Sequence, residues 1–354
     1  MFSLLTDDLR HVLEHSRSDF AALDGAHLFI TGGTGFFGMW LLETLLFARE
    51  QMGLSLEVTL LTRNVQAFQK KAPHLARHSA LKYLQGDIMD FPFPKRASYS
   101  HCIHMAAPTL AASQVGAEGY FPILDVFYRG SKRMLEFVSD ASIPRLLWVS
   151  SGAAYGSQPE HHTHLRETDP TWLDLSHFQS GLGEGKRLSE YLALTAGQAY
   201  RFSVVIARCF SFVGPYLPWT GYAIASFLKD TLCGRPIVIR NRGSEVRSYL
   251  YASDLAIALW GLLVRGRAQE TYNVGSEIRQ TLLEVATLLA QSQQPQLEVT
   301  CLGQQTIHSI RPLYVPSTAK IQKELNISQH LMLPQALSRT LQLYRQHNGS
   351  LGID

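Results

Sequence analysis

The sequence offers little that would tie the chain to metals, nucleic acids or membranes. Its four cysteines, Cys102, Cys209, Cys233 and Cys301, have neither metal-ligand spacing nor a paired pattern, so we expect no metal site and no disulfide framework. The formal net charge is only +3 and no long block of lysine and arginine occurs, which argues against a nucleic-acid partner. No stretch reaches the roughly 18 apolar residues that suggest a membrane span, and no secretory signal pattern is seen, so we expect no membrane partner.

The rest of the composition is typical of a globular chain in a reducing compartment. The 354 residues suit two domains, or one domain with a large appendage, and 46% of them are hydrophobic. Cys102 and Cys209 fall in apolar segments predicted to be strands, which favours buried free thiols. We therefore expect a cytoplasmic protein.

A glycine-rich turn at residues 32–38 organises the N-terminal half. It contains Gly33-x-Gly35-x-x-Gly38 and also fits the tighter spacing Gly32-x-x-Gly35-x-x-Gly38, with an apolar strand predicted before it and a helix after it. In a dinucleotide-binding turn, one glycine permits the tight turn, one lets the backbone approach a pyrophosphate, and one lets helix and strand pack closely. The free N–H groups at the start of the helix then favour phosphate. The predicted cofactor-binding residues here are Gly32, Thr34, Gly35, Phe36, Phe37 and Gly38.

Apolar segments that suit strands alternate with segments that suit helices from residue 26 to residue 207. Six strands are predicted, at residues 27–30, 56–61, 81–84, 101–107, 146–150 and 203–207. Helices fit between them, notably at 121–141 and 184–200. This alternation predicts an α/β fold with a Rossmann-type doubly wound parallel sheet, buried on both faces. In such a sheet, ligands bind at the carboxyl ends of the strands.

The predicted helices and strands become shorter after residue 212, which suggests that a second domain begins there. Residues 1–24 are expected to form an N-terminal packing helix. Residues 25–212, with about 246–275, are expected to form the NAD(P)-binding Rossmann domain. About 213–245 and 276–354 contain shorter elements, which suits a smaller C-terminal substrate-binding cap.

The end of the second predicted strand favours NADP over NAD. An acidic side chain there would bind the ribose hydroxyls of NAD, whereas an arginine accommodates the 2′-phosphate of NADP. This strand has no carboxylate at its end and is followed by Arg63, which is able to stack on adenine and pair with a phosphate. A solvated surface arginine is the alternative. Further cofactor contacts are predicted after the third and fourth strands, at Asp87, Ile88, Ala106 and Ala107.

Several motifs together resemble the extended short-chain dehydrogenase/reductase family, and within it the NAD(P)-dependent nucleotide-sugar epimerases and dehydratases. The resemblance runs from about residue 25 to residue 344. Besides the glycine turn, it rests on Gly86-Asp87-Ile88, His104-Met105-Ala106-Ala107, Ser150-Ser151-Gly152-Ala153-Ala154-Tyr155-Gly156, Gly183-Glu184-Gly185-Lys186-Arg187, Gly214-Pro215, Arg247-Ser248-Tyr249-Leu250-Tyr251-Ala252-Ser253-Asp254 and Asn273-Val274-Gly275. These motifs are more specific for the fold and the cofactor than for the reaction.

The resemblance implies which residues carry the chemistry. In the family, a tyrosine four residues before a lysine exchanges the proton of a sugar hydroxyl while hydride moves to or from nicotinamide. Lys186 matches the lysine, which binds the nicotinamide ribose and lowers the tyrosine pKa, and Ser151 matches a residue that hydrogen-bonds the substrate oxygen. Both are therefore predicted to be catalytic. The tyrosine position holds Leu182, which has no proton to exchange, although such a group is typically worth about 10²- to 10⁴-fold in rate.

Two further departures from the family pattern concern the substrate side. The family's sugar 4,6-dehydratases carry an Asp-Glu pair directly after the serine or threonine, where this chain has Gly152-Ala153. That difference argues against the dehydration. An asparagine often lies three residues after the arginine that ends the sixth strand, but here Ser211 follows Arg208 at that spacing, so the contact is shortened or lost.

Histidines near the predicted site are candidates for the missing acid/base. The polar loop 155–172 holds His161, His162 and His164, and His177 lies just before the catalytic helix. Histidine exchanges protons near neutral pH, but surface loops often carry histidines without a role. Proton movement from Lys186 through water is another alternative. The resemblance gives the nearby Tyr155 a packing role.

The resemblance also implies the substrate contacts and the assembly. Arg247 is expected to pair with a nucleotide diphosphate, since a guanidinium suits phosphate geometry, and Arg311 is a second candidate from the cap. The helices predicted at 121–141 and 184–200 resemble the pair through which the family dimerises, so we expect a homodimer. No residue identifies the base or the sugar.

The sequence therefore supports two hypotheses of function. The first is an NAD(P)-dependent epimerase or ketoreductase acting on a nucleotide-activated sugar by hydride transfer, with an atypical proton relay because the catalytic tyrosine is absent. The alternative is a cofactor-binding pseudoenzyme or regulatory partner in a glycan or natural-product pathway. Leu182 is the residue that divides the two.

Overall fold

A computed structural model gives the fold of the chain and describes residues 5–95, 98–108, 117–303 and 312–346. Arg311, one of the two predicted substrate contacts, lies outside these residues. Within them, no helix has both the length and the apolar character needed to cross a membrane.

The centre of the fold is a seven-stranded sheet in which every neighbouring pair of strands is parallel. Its strands are β1 (His27–Thr31), β2 (Glu57–Thr62), β3 (Leu81–Gln85), β4 (His101–His104), β5 (Arg145–Ser151), β6 (Ser203–Cys209) and β11 (Glu270–Val274), the last of which follows four short strands given below. The strand order is β3-β2-β1-β4-β5-β6-β11, so the chain winds outwards in both directions from β1. The predicted Rossmann-type doubly wound α/β fold is confirmed.

Helices cover both faces of this sheet. They are α1 (Thr6–Ala22), α2 (Phe36–Met52), α3 (Val65–Lys71), α4 (Pro73–Ala76), α5 (Tyr120–Asp125), α6 (Ser131–Asp140), α7 (Gly181–Tyr200), α8 (Ala223–Leu232), α9 (Ala252–Arg265), α10 (Leu282–Gln291), α11 (Ala319–Leu325) and α12 (Leu333–Gln346). Leu28 and Ile30 of β1 belong to one apolar cluster, with Trp260 of α9. Phe29, between them, belongs to another, with Phe137 of α6. Alternate side chains of one strand therefore fill two separate core layers, as expected for a parallel sheet.

Short strands after residue 211 form three small sheets. They are β7 (Phe212–Val213), β8 (Ile237–Ile239), β9 (Val246–Arg247), β10 (Leu250–Tyr251), β12 (Gln280–Thr281), β13 (Val299–Cys301) and β14 (Leu313–Tyr314). The sheet orders are β10-β7, β12-β9-β14 and β13-β8. A separate apolar cluster lies among α8, α10 and α12, with Phe227, Val285 and Leu337 as members. These C-terminal elements therefore pack around a second core.

Most predicted elements have bounds within three residues of those observed, and two differ more in extent or continuity. The strand predicted at 101–107 ends at His104. The Met105 N–H donates both to the Thr31 carbonyl oxygen and to the Thr31 hydroxyl, each at 3.2 Å, and the Ala106 N–H donates to that hydroxyl at 3.3 Å, so the ladder ends here. The helix predicted at 121–141 is present, but a π-helical segment at Val126–Gly130 separates α5 from α6. Gly130 ends that segment, where a Cβ atom would lie 3.1 Å from the Ile88 side chain.

The first helix lies against α2 and α9. Val12 and Phe20 are fully buried in the cluster that α2 and α9 share, and the Phe20 ring centroid is 5.5 Å from that of Trp260. Arg265, in the last turn of α9, forms a salt bridge to Asp19 of α1 at 2.7 Å. The helix is thus held by both apolar burial and a charged contact.

Asp254, in the first turn of α9, joins α1 to the segment before α12. Its carboxylate accepts hydrogen bonds from the backbone N–H groups of His330 and Leu331, at 2.9 and 3.0 Å, and from the His330 ring at 3.1 Å. The Nε2 atom of His11 lies 3.5 Å from the same carboxylate oxygen that the His330 ring contacts. Burial alone would raise the pKa of Asp254, but the bonds from the two histidines and the two backbone groups outweigh it and lower the pKa to about 2.

Replacing Asp254 by asparagine is expected to make the stability of the fold less dependent on acid pH. A carboxyl whose pKa falls from 3.8 to about 2 on folding contributes about 2 kcal/mol above pH 3.8, and that contribution is lost as the pH falls through about 2. Urea unfolding of wild type and Asp254→Asn should therefore differ at neutral pH and converge in acid. Asp140→Asn, at an exposed carboxylate ending α6, is the matched control. A constant difference at every pH would contradict this account.

Candidate active site

The carboxyl ends of β1, β4 and β5 lie side by side, because these strands are neighbours in the parallel sheet. Gly32 follows β1, Met105 follows β4, and Ser151 ends β5. Parallel sheets bind ligands at this edge. The structure therefore brings together the glycine turn, the His-Met-Ala-Ala segment and Ser151, three parts of the sequence that predicted a site separately.

Close backbone contacts require glycine at two positions of the turn. Gly32 has a φ of +71°, and a Cβ on it would lie 2.6 Å from the carbonyl carbon of Met105. A Cβ on Gly38 would lie 2.2 Å from the Cα of Gly33. Each distance is far below contact, so Gly32 permits the turn and Gly38 lets α2 pack onto it.

The start of α2 is open for an anion. Gly35 is the N-cap residue, is exposed, and brings no capping side chain, and the first turn of the helix contains no acidic residue. A Cβ at Gly35 would meet only the Gly32 carbonyl, at 3.3 Å. The N–H groups of the first helical turn lack partners within the helix and face a partial positive charge outwards. These features fit the pyrophosphate of a dinucleotide.

A lysine lies next to this turn. The Lys71 ammonium donates a hydrogen bond to the carbonyl oxygen of Thr34 at 2.8 Å, and burial lowers the pKa of Lys71. Thr34 was predicted to bind the cofactor, and its backbone oxygen is the group that holds this lysine. The contact adds positive charge to the same edge of the sheet as the start of α2.

His104 is bonded to the end of β1, and its ring feels the charge of Lys186 on α7. Its Nδ1 atom is hydrogen-bonded to the Thr31 hydroxyl at 2.9 Å, and its ring lies against Trp148, with centroids 4.1 Å apart. Burial, with a smaller contribution from the charge of Lys186, lowers the pKa of His104 to about 3. The imidazole is therefore neutral at physiological pH and acts in the hydrogen-bond framework rather than as a charge.

Lys186 is buried at the contact between α7 and β5. Its ammonium donates to the carbonyl oxygen of Val149 at 3.2 Å. Burial lowers the pKa of Lys186 to about 8, against the opposing effects of Cys209 and Glu190. One helical turn earlier on α7 is Leu182, which is half-buried and has no polar atom on its side chain. The helix thus presents a lysine without the tyrosine that the resemblance implies.

Ser151 is half-buried and has two polar neighbours. Its hydroxyl oxygen accepts a hydrogen bond from the N–H of Ala153 at 3.1 Å and lies 3.4 Å from the hydroxyl of Tyr314 on β14. The sequence analysis did not assign Tyr314 to the site. The two residues are 163 positions apart and no motif joins them, so only the fold reveals the contact.

A charged network contacts β5 at Ser150, the residue before Ser151. The Arg208 guanidinium forms a bidentate salt bridge with the Glu190 carboxylate, with a shortest N···O distance of 2.7 Å. Glu190 also accepts a hydrogen bond from the Ser150 hydroxyl. The guanidinium carbon lies 4.5 Å from the ring centroid of Tyr155, whose hydroxyl donates to Asn273 at 2.8 Å. Burial raises the pKa of Tyr155 to about 12. Tyr155 is thus placed in the protein interior and not at the reacting edge.

The residues predicted to contact the adenosine half surround the ends of β2, β3 and β4. Arg63 is exposed just after β2. Asp87 accepts a bond from the N–H of Met89 at 3.0 Å, and Ile88 is half-buried against Gly130. Ala106 is half-buried and Ala107 is exposed beyond β4, where small side chains leave room.

The candidate histidines of the loop are engaged elsewhere. His162 pairs with Asp169 at 3.6 Å, and the ring centroid of His161 is 4.6 Å from that of His162. His164 is hydrogen-bonded to the carbonyl oxygen of Glu277 at 2.9 Å. The Nε2 atom of His177 lies 3.6 Å from the Asp174 carboxylate, in the segment just before α7. These contacts hold the loop, and they give the proposed acid/base role of the histidines no support.

Arg247 lies on the C-terminal side of the site, on β9. Its guanidinium donates to the carbonyl of Val246 at 2.9 Å and to Glu245 at 3.3 Å. Arg247 is paired in register with Tyr314 of the neighbouring parallel strand. Residues in register on neighbouring strands face the same side of a sheet, so Arg247 and Tyr314 share one side.

The glycine turn, the open start of α2 and the buried lysine define a dinucleotide-binding protein of the Rossmann class. Residues 28–275 match the NAD dependent epimerase/dehydratase family, and the chain belongs to this family. The resemblance seen in the sequence is therefore confirmed, and with it the membership of an enzyme family.

The chain is similar to curated nucleotide-sugar enzymes over most of its length. It is 26% identical to a dTDP-glucose 4,6-dehydratase from Streptomyces niveus over 326 residues, covering 90% of this chain and 93% of the relative. It is 24% identical to UDP-glucuronic acid decarboxylase 1 from Arabidopsis thaliana, covering 89% of this chain and 69% of the relative.

Solved structures share the fold. The dTDP-glucose 4,6-dehydratase DesIV from Streptomyces venezuelae, solved with NAD bound, superposes with a TM-score of 0.77 at 24% identity, covering 93% of this chain and all of the other. The UDP-glucuronic acid 4-epimerase from Bacillus cereus, in complex with UDP-glucuronic acid and NAD, has a TM-score of 0.77 at 18% identity, covering 91% and 99%.

Neutralising Glu190 is expected to destabilise the protein strongly. Glu190→Gln leaves the buried guanidinium of Arg208 without its counter-charge, which typically costs about 3–5 kcal/mol. Glu136→Gln is the matched control, because its ion pair with Lys132 is exposed and is worth well under about 1 kcal/mol. Chemical denaturation of both variants measures the difference. Equal effects would contradict the assignment of Glu190 and Arg208 as a buried structural pair.

Proposed function

We propose that the chain is an NADP-dependent epimerase or ketoreductase that acts on a nucleotide-activated sugar by hydride transfer. The observation that carries the proposal is the position of Lys186, which is buried between α7 and β5, where its ammonium donates to the carbonyl oxygen of Val149 near the carboxyl end of β5. A lysine at this position would be able to donate a hydrogen bond to the nicotinamide ribose of a dinucleotide bound at the carboxyl edge of the sheet. Ser151, at the end of the same strand, is the group proposed to bind the reacting oxygen.

Residues at the glycine turn would hold the cofactor. The N–H groups of Phe36, Phe37 and Gly38 would bind the pyrophosphate, Gly35 would leave room for it, and Lys186 would hydrogen-bond the nicotinamide ribose. A bound nicotinamide supplies a hydride acceptor or donor. The remaining predicted contacts, proposed to line the cofactor, are Gly32, Thr34, Asp87, Ile88, Ala106 and Ala107. The NAD complexes of DesIV and of the Bacillus cereus epimerase support this placement.

The substrate class is inferred from the relatives and from one basic residue. The relatives act on dTDP-linked and UDP-linked sugars, as their names state. Arg247 is half-buried on the side of β9 that Tyr314 shares, and a guanidinium suits a diphosphate. Arg311 is proposed as a second contact, although it lies outside the described residues.

Dehydration is disfavoured by the residues beside Ser151. Removing water across two sugar carbons needs a proton donor and a base, which the dehydratases supply as an Asp-Glu pair. Gly152 and Ala153 are buried at these two positions and carry no ionisable group. The reaction proposed here therefore stops at hydride and proton transfer.

Arg63→Ala is expected to weaken NADP+ binding about tenfold and NAD+ binding much less, since both nucleotides have the adenine but only NADP has the 2′-phosphate. Protein fluorescence titrations with both nucleotides measure the two dissociation constants. Arg77→Ala is the matched control, because Arg77 is exposed but precedes β3 at the opposite edge of the sheet. Equal weakening of both nucleotides, or no change in either, would contradict the proposed preference.

A homodimer is proposed through α5, α7 and the segment between α5 and α6. These helices pack on each other and expose large hydrophobic side chains, Phe121 and Tyr191 being 76% and 67% exposed. Tyr128 and Leu188 are also exposed on them. Exposed apolar side chains on helices that pack together are consistent with an interface.

Leu188→Asp with Tyr191→Asp is expected to convert the dimer to a monomer, because burying two carboxylates in an interface is costly. Light scattering at micromolar concentration measures the mass. Ile278→Asp, at an exposed apolar residue elsewhere, should leave the dimer intact. A wild-type protein that is monomeric at this concentration would contradict the proposal.

The alternative of a pseudoenzyme is favoured by Leu182 alone. To decide between the two, nucleotide released from the purified protein would be identified by its mass and absorbance. The protein loaded with NADP+ would then be mixed with a panel of nucleotide sugars while reduced nicotinamide is recorded. Formation of reduced nicotinamide with at least one sugar, lost in Lys186→Met, supports the enzyme. Binding of NADP+ with neither reduced nicotinamide nor an epimerised sugar formed from any member of the panel, at pH values below and above the pKa of Lys186, supports the pseudoenzyme.

A further inference from the structure

The proposed hydride transfer leaves one question, which group exchanges the proton that a tyrosine carries in the family. We propose that Tyr314 replaces that tyrosine and moves the proton through the hydroxyl of Ser151. This inference rests on the proposed function, and it concerns a residue that no motif of the sequence places in the site.

The hydroxyls of Tyr314 and Ser151 lie close enough to exchange a proton. Their oxygen atoms are 3.4 Å apart. The Ser151 oxygen accepts a bond from the N–H of Ala153, so its own proton is directed to another acceptor. Hydrogen bonds used in catalysis are often long before the substrate binds and shorten afterwards. Tyr314 is therefore within reach of the group that is proposed to bind the substrate oxygen.

Gly152 is the residue that makes room for this contact. A Cβ atom at position 152 would lie 2.7 Å from the Tyr314 hydroxyl and 2.7 Å from the tip of the Phe210 ring. Any side chain there would displace one of them. The change that removes the acidic residue of the dehydratases is thus the change that admits the Tyr314 hydroxyl to the side of Ser151.

The Tyr314 ring is fixed in place by its surroundings. It is buried in a cluster with Tyr155, Leu165 and Phe210, and its ring centroid is 4.7 Å from that of Phe210. On its other side, β14 is hydrogen-bonded to β9 in register with Arg247. A hydroxyl held by packing on a strand keeps its direction, which proton transfer requires.

Other hydroxyl groups near the site are less suitable. Tyr155 is 1% exposed and donates its proton to Asn273, beneath the Arg208 guanidinium. Tyr191 is exposed on the outer side of α7. Among the described tyrosines, Tyr314 is the one whose hydroxyl lies within hydrogen-bond distance of the Ser151 hydroxyl.

In the reducing direction, the Ser151 hydroxyl would give its proton to the carbonyl oxygen of the substrate, while a bound reduced nicotinamide would supply the hydride for the carbonyl carbon. The Tyr314 hydroxyl gives its proton to the Ser151 oxygen, and the resulting phenolate regains a proton from water. In the oxidising direction the same atoms move in reverse, and the Tyr314 phenolate receives the proton that leaves the substrate hydroxyl. Charge and protons balance in both directions.

Kinetics of hydride transfer test the relay. Tyr314→Phe keeps the ring but removes the hydroxyl, so kcat should fall about 10²-fold or more while KM and the NADP+ dissociation constant change little. Ser151→Ala should cause a similar loss, and the double variant should be no worse than either single one, since both interrupt one relay. Introducing Leu182→Tyr into Tyr314→Phe should restore turnover. Tyr200→Phe, at an exposed tyrosine ending α7, is the control that should match wild type.

A measurement without turnover tests the same contact. Tyrosine labelled with carbon-13 at the ring carbon that carries the hydroxyl gives one NMR signal per residue, and the signal missing in Tyr314→Phe identifies Tyr314. Its pH titration should shift in Ser151→Ala, whereas that of Tyr200 should not. An unchanged Tyr314 titration would overturn the relay, whether or not the enzyme turns over.

The two proposals fail in distinguishable ways. If wild type reduces NADP+ with a nucleotide sugar and Tyr314→Phe does so equally fast, the relay is wrong and the proposed function stands. If no sugar in the panel is oxidised but the Tyr314 titration depends on Ser151, the substrate class is wrong and the hydroxyl pair stands.

Discussion

The close contact between the glycine turn and the start of α2 is the constraint on which the site depends. Gly32 packs against the backbone of Met105, and Gly38 packs against the backbone of Gly33. Both contacts are so close that no side chain fits at either glycine. The contact fixes α2 with its open N-terminus at the carboxyl edge of the sheet. An anion at that edge gains both the free N–H groups and the partial charge of the helix.

Compared with the family pattern, the chain keeps the lysine of the site, Lys186, and has Leu182 in place of the tyrosine. Lys186 is buried, with its pKa lowered to about 8, next to a His104 that burial holds neutral. An ammonium group with such a pKa can donate hydrogen bonds to the oxygen atoms of a ligand. The fraction of it that is charged changes with small changes in its surroundings. At the position where the family has a proton carrier, Leu182 is inert. The Tyr314 hydroxyl, on β14 of a C-terminal sheet, lies 3.4 Å from the Ser151 hydroxyl, which is consistent with rearranged and not abandoned proton transfer.

Local patterns were sufficient for most of the fold but not for the site. All six predicted strands are present, because each is an apolar run bounded by turn residues. Only β4 is shorter than predicted, and its ladder ends where the Thr31 hydroxyl accepts bonds from the N–H groups of Met105 and Ala106. The burial of Cys102 and Cys209 is also confirmed. In contrast, the pairing of Ser151 with Tyr314 and of Glu190 with Arg208 depends on how distant elements pack, which no local spacing contains. The absence at Leu182 was visible in the sequence, whereas its candidate replacement was visible only in three dimensions.

The most direct measurement of the central claim is a crystal structure of the protein grown with NADP+. The account predicts the pyrophosphate against the N–H groups of Phe36, Phe37 and Gly38, and the nicotinamide ribose within hydrogen-bond distance of the Lys186 ammonium. A pyrophosphate bound elsewhere, or a ribose out of reach of Lys186, would contradict it.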